Sequence, residues 1–126
     1  MNAKLLSGQE LAYFGDAVVE LLARETMLKR GIVGVGKLNR EALSYVQATA
    51  QSRALDNILP LLTEEETAAF KRGRNNHVGA IPKSASAVEY RRATGFEALF
   101  AYLWLSGMEE RARELFSLAY PKTQES

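Results

Sequence analysis

The chain has 126 residues, 47% of them hydrophobic and 25% charged, and its formal net charge of +1 argues against a wholly basic nucleic-acid-binding surface. This size and hydrophobic content predict one domain over residues 1–126, with a polar tail from about residue 121. The absence of cysteine excludes disulfides and thiolate metal sites, and the lack of a secretion signal or of ~18 consecutive apolar residues predicts a cytoplasmic protein without membrane contact.

The first predicted helix begins at Ser7, because a serine followed three residues later by Glu10 has the pattern of a capping box. Apolar residues then recur at helical spacing, and glycines from residue 31 onward end the helix. The stripe expected to face the core consists of Leu11, Phe14, Val18, Leu21 and Leu22.

Gly15 and Asp16 interrupt this apolar helix. A glycine inside a helix costs ~1 kcal/mol relative to alanine, so Gly15 predicts the close approach of another backbone or a ligand. An unpaired buried carboxylate is costly, so Asp16 is expected to meet a cation, a donor or water. The alternative for Asp16 is an ion pair with an arginine and no further role. Glu20 lies on the same helical line, but Arg24 one turn away can pair with it, which leaves its role open.

Residues 31–37, GIVGVGK, have the glycine spacing of a phosphate-binding P-loop but not its context. Leu38 stands where that motif requires a hydroxyl group for magnesium, and a helix instead of a buried strand precedes the glycines. We therefore interpret this segment as a connection between two helices.

The next helices are predicted from about Leu38 to Leu59, with a break near Ala48, and from Thr63, which forms a second capping box with Glu66. A third capping box at Ser86 opens another helix, whose core stripe is Phe96, Leu99, Phe100 and Leu103.

The last predicted helix runs from Met108 to about Tyr120 and directs Leu115, Leu118 and Ala119 inward. No segment of the sequence alternates between apolar and polar residues as a strand does. The predicted fold class is therefore all-α, with five to seven helices.

Residues 73–86 have no apolar period and are predicted to form a long loop, a feature that is often functional in compact domains. Between residues 71 and 92, six basic residues stand against the single acid Glu89. Such a concentration suits phosphate contacts, although a run of charges can also be a solvated face. The loop is poor in aromatic residues, which favours contact with a nucleic-acid backbone or duplex over base stacking. The lone His77 lacks a metal-binding partner and is interpreted as a surface residue.

Glu97 is a second acid within an apolar helix, the only one between Tyr90 and Ser106. Glu97 is not on the side of the helix that carries the core stripe, so its carboxyl group can point away from the core. If Asp16 and Glu97 meet, a shared cation would offset the cost of both, and oxygen ligands without cysteine or paired histidine indicate Mg²⁺ or Mn²⁺. Beside a basic loop, such a site predicts phosphodiester hydrolysis by metal-activated water.

Four segments, LAYFGDAVVELLARE, FKRGRN, IPK and YRRATGFEALFAYLWLSG, resemble in this order the endonuclease domain of the ribonuclease III family. The resemblance runs from about Leu5 to Tyr120 and is strongest to the Mini-ribonuclease III subgroup, which lacks a separate double-stranded RNA-binding domain. It implies a homodimeric, Mg²⁺-dependent endoribonuclease that cleaves double-stranded or structured RNA. For this subgroup it also implies maturation of the 23S ribosomal RNA precursor, and a ribosomal protein that presents the substrate would be a further partner.

The resemblance assigns metal ligation and catalysis to Asp16 and Glu97. Full-length ribonuclease III has acids where this chain has Gln9, Ala12 and Thr94, so water and RNA phosphates would complete the coordination. A catalytically silent RNA-binding scaffold in ribosome assembly is the alternative function, and a protein-interaction module is a third. From the basic cluster and the resemblance together, the predicted RNA-binding residues are Lys71, Arg72, Arg74, Asn75, Lys83, Arg91 and Arg92.

Overall fold

A computed structural model of the protein describes residues 1–76 and 86–121. Over these ranges the chain contains no strand, and it forms two short 3-10 helices, Ala3–Leu5 and Leu59–Leu61, and six α-helices. The prediction of an all-α fold with five to seven helices is confirmed. The helices are α1 (Gly8–Lys29), α2 (Val35–Val46), α3 (Ala48–Asp56), α4 (Glu64–Arg74), α5 (Ala87–Leu105) and α6 (Glu109–Ala119).

Three of the helices begin with the predicted capping boxes. In each, a serine or threonine hydroxyl accepts a hydrogen bond from the backbone N–H three residues later. The glutamate at that later position accepts one in return from the backbone of the first residue, which satisfies two N–H groups that a helix leaves free. The pairs are Ser7 with Glu10, Thr63 with Glu66, and Ser86 with Glu89.

The connections on either side of α2 also agree with the sequence. Gly31 and Gly34 have positive φ angles of 83° and 92° between the end of α1 and the start of α2, so residues 31–34 of GIVGVGK connect two helices as predicted, whereas Val35, Gly36 and Lys37 already belong to the first turn of α2. Gln47 is extended, with φ −71° and ψ 146°, and separates α2 from α3 at the predicted break. The helix before this break begins at Val35, earlier than the predicted start.

Helix α5 lies at the centre of the fold and packs against α1, α3 and α4. Its predicted core residues Phe96, Leu99, Phe100 and Leu103 are all 0% exposed. Because α5 is covered on several sides, its apolar residues are not confined to one stripe, unlike those of a helix at the surface. In the described ranges, no helix is long and apolar enough to cross a bilayer.

Two predicted core positions are wrong: Leu21 is 48% exposed and Leu118 is 44% exposed. Each is followed on its helix by a buried neighbour, Leu22 or Ala119, and successive helical residues point about 100° apart. The apolar pattern therefore identified the helices correctly but overestimated the width of their buried faces.

The predicted loop begins later than expected, because α4 continues through Gly73 to Arg74 and Asn75 forms its C-cap. Gly73 does not end the helix. It allows close packing instead, since a β-carbon at this position would lie 2.8 Å from the Thr94 carbonyl oxygen of α5. Arg72 and Arg74 consequently lie on a helix and not in a loop.

Candidate active site

A polar cleft of about 460 Å³ opens between the first half of α1, the end of α4 and the first half of α5. It contains the two acids that interrupt apolar helices in the sequence, together with amide, hydroxyl and phenol groups. Such a concave site with a few convergent polar groups is a typical location for an active site. The cleft is lined by Gln9, Ala12, Tyr13, Asp16, Asn76, Tyr90, Thr94 and Glu97.

Close packing at Gly15 brings the two acids together. The backbone of α1 at Gly15 touches that of α5 at Glu97, and a β-carbon on residue 15 would overlap the Glu97 carbonyl oxygen. The predicted close approach at Gly15 is thus confirmed, and the approaching group is the backbone of the helix that carries the second acid. Because Asp16 directly follows Gly15, this contact places its side chain at the same cleft as that of Glu97.

The end of α4 is held against α5 in the same way. A β-carbon on Gly95 would lie 2.6 Å from ring atoms of Phe70, and Gly73 meets the Thr94 backbone as described above. These contacts leave little space between the two helix backbones and direct Asn76, which follows α4, into the cleft.

The two carboxyl groups have different environments. Asp16 is exposed, so water can satisfy its carboxylate. Glu97 is partly buried, and this burial, followed by the negative charge of Asp16 and a hydrogen bond with it, raises the pKa of Glu97 from 4.5 to about 8. A group on α3, the Gln51 amide, acts in the opposite direction and lowers this pKa.

No basic side chain neutralises this pair in the part of the chain that the structure describes: within residues 1–76 and 86–121, neither Asp16 nor Glu97 forms a salt bridge. The same ranges contain no cluster of three or more acidic or histidine side chains able to hold a metal. Two neighbouring carboxyl groups with oxygen and amide donors around them suit a hard cation that keeps several water ligands, as Mg²⁺ and Mn²⁺ do.

The three positions at which the resemblance noted in the sequence leads one to expect acids all line this cleft: Gln9, Ala12 and Thr94. Thr94 has its hydroxyl group occupied, because Oγ1 donates a hydrogen bond of 2.9 Å to the Tyr90 carbonyl oxygen. Glu20, by contrast, does not line the cleft and accepts a hydrogen bond of 2.5 Å from Arg24, which forms an ion pair within α1.

Two of the predicted RNA-binding arginines make contacts within the protein. Arg72 donates to the Leu6 carbonyl oxygen at 2.5 Å and to that of Ala3 at 3.3 Å, which ties the N-terminal residues to α4. Arg92 donates to the hydroxyl and carbonyl oxygens of Ser52, both at 2.8 Å, and pairs with Asp56. These contacts hold α3 against α5, and they favour a structural role for both arginines.

The other basic candidates face outward. Lys71 and Arg91 are exposed. Arg74 lies over the Phe70 ring at 5.4 Å from its centroid and donates to Asn75 Oδ1 at 3.0 Å, which orients its guanidinium group at the end of α4. Lys83 and His77 lie outside the described residues.

The sequence interpretation assigned no role to the aromatic groups of the cleft, and it missed Tyr13 and Gln51 altogether. Tyr13 is 85% exposed at its edge, and Tyr90 faces it from α5. The helical line through Asp16 and that through Glu97 would have pointed to the lining residues, since positions three or four residues apart share a face. No spacing in the sequence relates Gln51 of α3 to Glu97, so its effect on the Glu97 carboxyl group could not be predicted.

Residues 9–108 match the Ribonuclease III domain family. The chain is 50% identical over 118 residues to the Mini-ribonuclease 3 of Symbiobacterium thermophilum, a match that covers 94% of this chain and 91% of the relative. It is 43% identical over 110 residues to the Mini-ribonuclease 3 of Brevibacillus brevis, covering 87% and 82% respectively. A crystal structure of a Fusobacterium nucleatum protein superposes with a TM-score of 0.81 at 33% identity and covers 90% of both chains.

Proposed function

Because the chain belongs to the ribonuclease III family and is an endoribonuclease of that type, we propose that it cleaves double-stranded or structured RNA with Mg²⁺ at the Asp16–Glu97 cleft. The observation that carries this proposal is the convergence of the two acids. They come from separate helices and line one cleft, where burial of Glu97 and then the nearby charge of Asp16 raise the pKa of Glu97. Clustered acids with a perturbed pKa in a cleft are a frequent mark of an active site.

In the proposed site, Asp16 and Glu97 hold the cation, and Mn²⁺ can replace Mg²⁺. When bound, the ion supplies Lewis acidity that activates water and offsets negative charge on the phosphodiester. Glu97 has to lose its proton to act as a ligand, since only the ionised carboxylate binds a hard cation well. With two carboxylates at the site, water and RNA phosphate oxygens complete the coordination.

For RNA binding we propose the outward-facing basic residues near the cleft: Lys71, Arg74 and Arg91. Lys71 and Arg74 lie in the last turn of α4, the element that leads to Asn76 in the cleft, and Arg91 follows the cleft residue Tyr90. Asn75 and Lys83 remain proposed RNA contacts, the latter from the sequence alone, whereas the internal contacts of Arg72 and Arg92 favour support of neighbouring elements over direct binding.

We further propose that the protein acts as a homodimer through the exposed face of α1. Tyr13, Leu21 and Leu28 are 85%, 48% and 62% exposed and lie on one side of this helix. Apolar residues aligned on an exposed helix face favour an interface. A dimer would carry two cleavage sites and would strengthen RNA binding through multivalency. Sedimentation analysis of Leu21→Glu and Leu28→Glu tests this: both variants should be monomeric, and an unchanged mass would contradict the interface.

Cleavage assays test the catalytic proposal. Purified protein is incubated with a structured RNA duplex in Mg²⁺, beside Asp16→Asn and Glu97→Gln, with Glu20→Gln as a matched acid outside the cleft. We expect cutting by the wild type and by Glu20→Gln, and a loss of at least about 100-fold for the two cleft variants. If Asp16→Asn and Glu97→Gln cut as fast as the wild type, the reaction takes place elsewhere.

The natural substrate is proposed to be the 23S ribosomal RNA precursor in the cytoplasm. A precursor processing stem and an unrelated duplex of equal length, each with and without a ribosomal protein bound to the stem, provide the comparison. Faster cleavage of the ribosomal stem supports the assignment, and a further gain with the protein present identifies it as a partner. Equal rates on both duplexes would contradict a specific role in ribosomal RNA maturation.

A further inference from the structure

Gln51 is a buried amide whose nitrogen has no hydrogen-bond partner among the described residues. It lies in α3 and is only 2% exposed, and Nε2 is separated from water. Most buried side-chain nitrogens and oxygens in proteins are paired, so an unpaired one requires a reason. The unmade bond lowers stability, because the amide gave up hydrogen bonds to water on folding.

The location of Gln51 supplies that reason. Helix α3 packs against α5, and the Gln51 amide lies close enough to the carboxyl group of Glu97 to lower its pKa. Asp16 approaches the same carboxyl group from the cleft side. Glu97 therefore lies between a neutral amide within the protein and a second acid at the cleft.

We propose that Gln51 is a positioning residue for Glu97, with its Nε2 donating a hydrogen bond to one oxygen of the ionised carboxylate. The other oxygen is then directed to the cleft beside Asp16. A carboxylate has two oxygens and can accept a hydrogen bond on one while the other serves the cation. Carboxylates that bind metals are commonly oriented by such a second partner. This inference rests on the proposed cation site at Asp16 and Glu97.

This role explains why an amide stands at a position where methionine would fill a similar volume without leaving a buried donor unpaired. A purely structural amide would be expected to complete its hydrogen bonds in the folded protein. A donor that serves the cation-bound form of the site completes its bond only when the cation is present, in agreement with the unpaired Nε2 of the protein alone. The two roles therefore predict opposite effects of an apolar substitution on the metal-free protein.

The test compares Gln51→Met with the wild type in the full-length protein, using Mn²⁺ as the probe. Thermal melts in a chelator give the stability of the metal-free protein, and calorimetric titration with Mn²⁺ at pH 8.5 gives the affinity. We expect Gln51→Met to bind Mn²⁺ about 10-fold more weakly and to melt at the same or a higher temperature without metal.

Ser52→Ala is the matched control, since Ser52 is the neighbouring buried polar residue on α3 but bonds to Arg92 instead of Glu97. It should lower the melting temperature and leave Mn²⁺ affinity unchanged. An equal Mn²⁺ affinity in Gln51→Met and the wild type would overturn the role of Gln51 alone, whatever the metal-free melting temperature of the variant. No Mn²⁺ binding by the wild type would instead refute the cation site itself, and the role of Gln51 with it.

Discussion

Two glutamates at the edge of the core, Glu66 and Glu97, have opposite electrostatic surroundings. Glu66 is 1% exposed and receives two hydrogen bonds from Arg111, of 2.8 and 2.9 Å, which lower its pKa below 4.5. Glu97 has another acid as its neighbour, and burial together with Asp16 raises its pKa to about 8. The protein thus neutralises one buried acid with its own arginine and leaves the other beside a like charge.

The difference teaches that burial alone does not tell an acid that stabilises the fold from one that serves a binding site. At Glu66, a bidentate arginine and the capping box at Thr63 satisfy both carboxylate oxygens, so the site is complete within the chain. At Glu97, the described residues offer a neighbouring acid and the Gln51 amide. An arrangement that is unfavourable for the protein alone becomes favourable when a cation binds.

The largest effect on stability is expected from breaking the complete pair with Arg111→Met. The variant leaves Glu66 buried without its cation, which should lower the free energy of unfolding by about 3–5 kcal/mol, as measured by urea denaturation. Adding Glu66→Gln removes the uncompensated charge and preserves the capping box, so the double variant should recover part of the loss. If the double variant is no more stable than Arg111→Met, the pair is not the source of the effect.

Gly15→Ala should also destabilise the protein, since the new methyl group overlaps the Glu97 backbone and separates α1 from α5. We expect a loss of about 1–3 kcal/mol in denaturation and slower RNA cleavage, because the two acids move apart. Gly36→Ala is the control: a β-carbon there meets only the Arg40 side chain, at 3.6 Å, so helix propensity should stabilise α2 by up to about 1 kcal/mol. Equal responses of the two variants would contradict close packing at Gly15.

A smaller effect, of opposite sign, is expected for Glu97→Gln in the metal-free protein. The folded state holds the Glu97 proton up to pH about 8, whereas the unfolded chain releases it near 4.5, so the stability of the wild type should fall as pH rises between these values. Glu97→Gln removes this dependence and should raise the melting temperature at pH 8 by on the order of 5 °C. At Glu66, where the pKa is lowered, stability is present above 4.5 and is lost as pH falls below it.

Melts at pH 5, 6.5 and 8, with a chelator and with Mg²⁺, measure this contrast. Mg²⁺ should restore stability to the wild type at pH 8 and have no effect on Glu97→Gln. A wild-type melting temperature that does not change between pH 5 and pH 8 in chelator would show that Glu97 is not held in its protonated form.

The smallest effect on stability is expected for Lys71→Ala combined with Arg74→Ala, whose side chains extend from the last turn of α4. Folding should be nearly unchanged, but RNA binding should weaken and its dependence on salt should become flatter, because fewer phosphates are contacted. Arg92→Ala is the comparison, and it should destabilise the protein through loss of its contacts with Ser52 and Asp56. An unchanged salt slope for the double variant would remove Lys71 and Arg74 from the RNA surface.

The two acids that line the cleft could be singled out from the sequence because each breaks a local rule. Asp16 and Glu97 stand in apolar helices where a charge is unfavourable, and Gly15 is a poor helix former at the same point. Positions that contradict local preference are often functional. The basic residues carried no comparable signal: Arg92 and Arg91 are adjacent and identical in charge, yet one is bonded to α3 and the other is exposed.

The sequence by itself predicted the helices and the capping boxes that start α1, α4 and α5, because capping boxes and apolar periods depend on residues within a few positions of each other. Only the tertiary structure decided that Gly15 packs on Glu97, that Arg72 and Arg92 are held internally, and that Gln51 reaches the site from a third helix. These contacts join residues far apart in the chain, and their geometry depends on how the helices pack against α5.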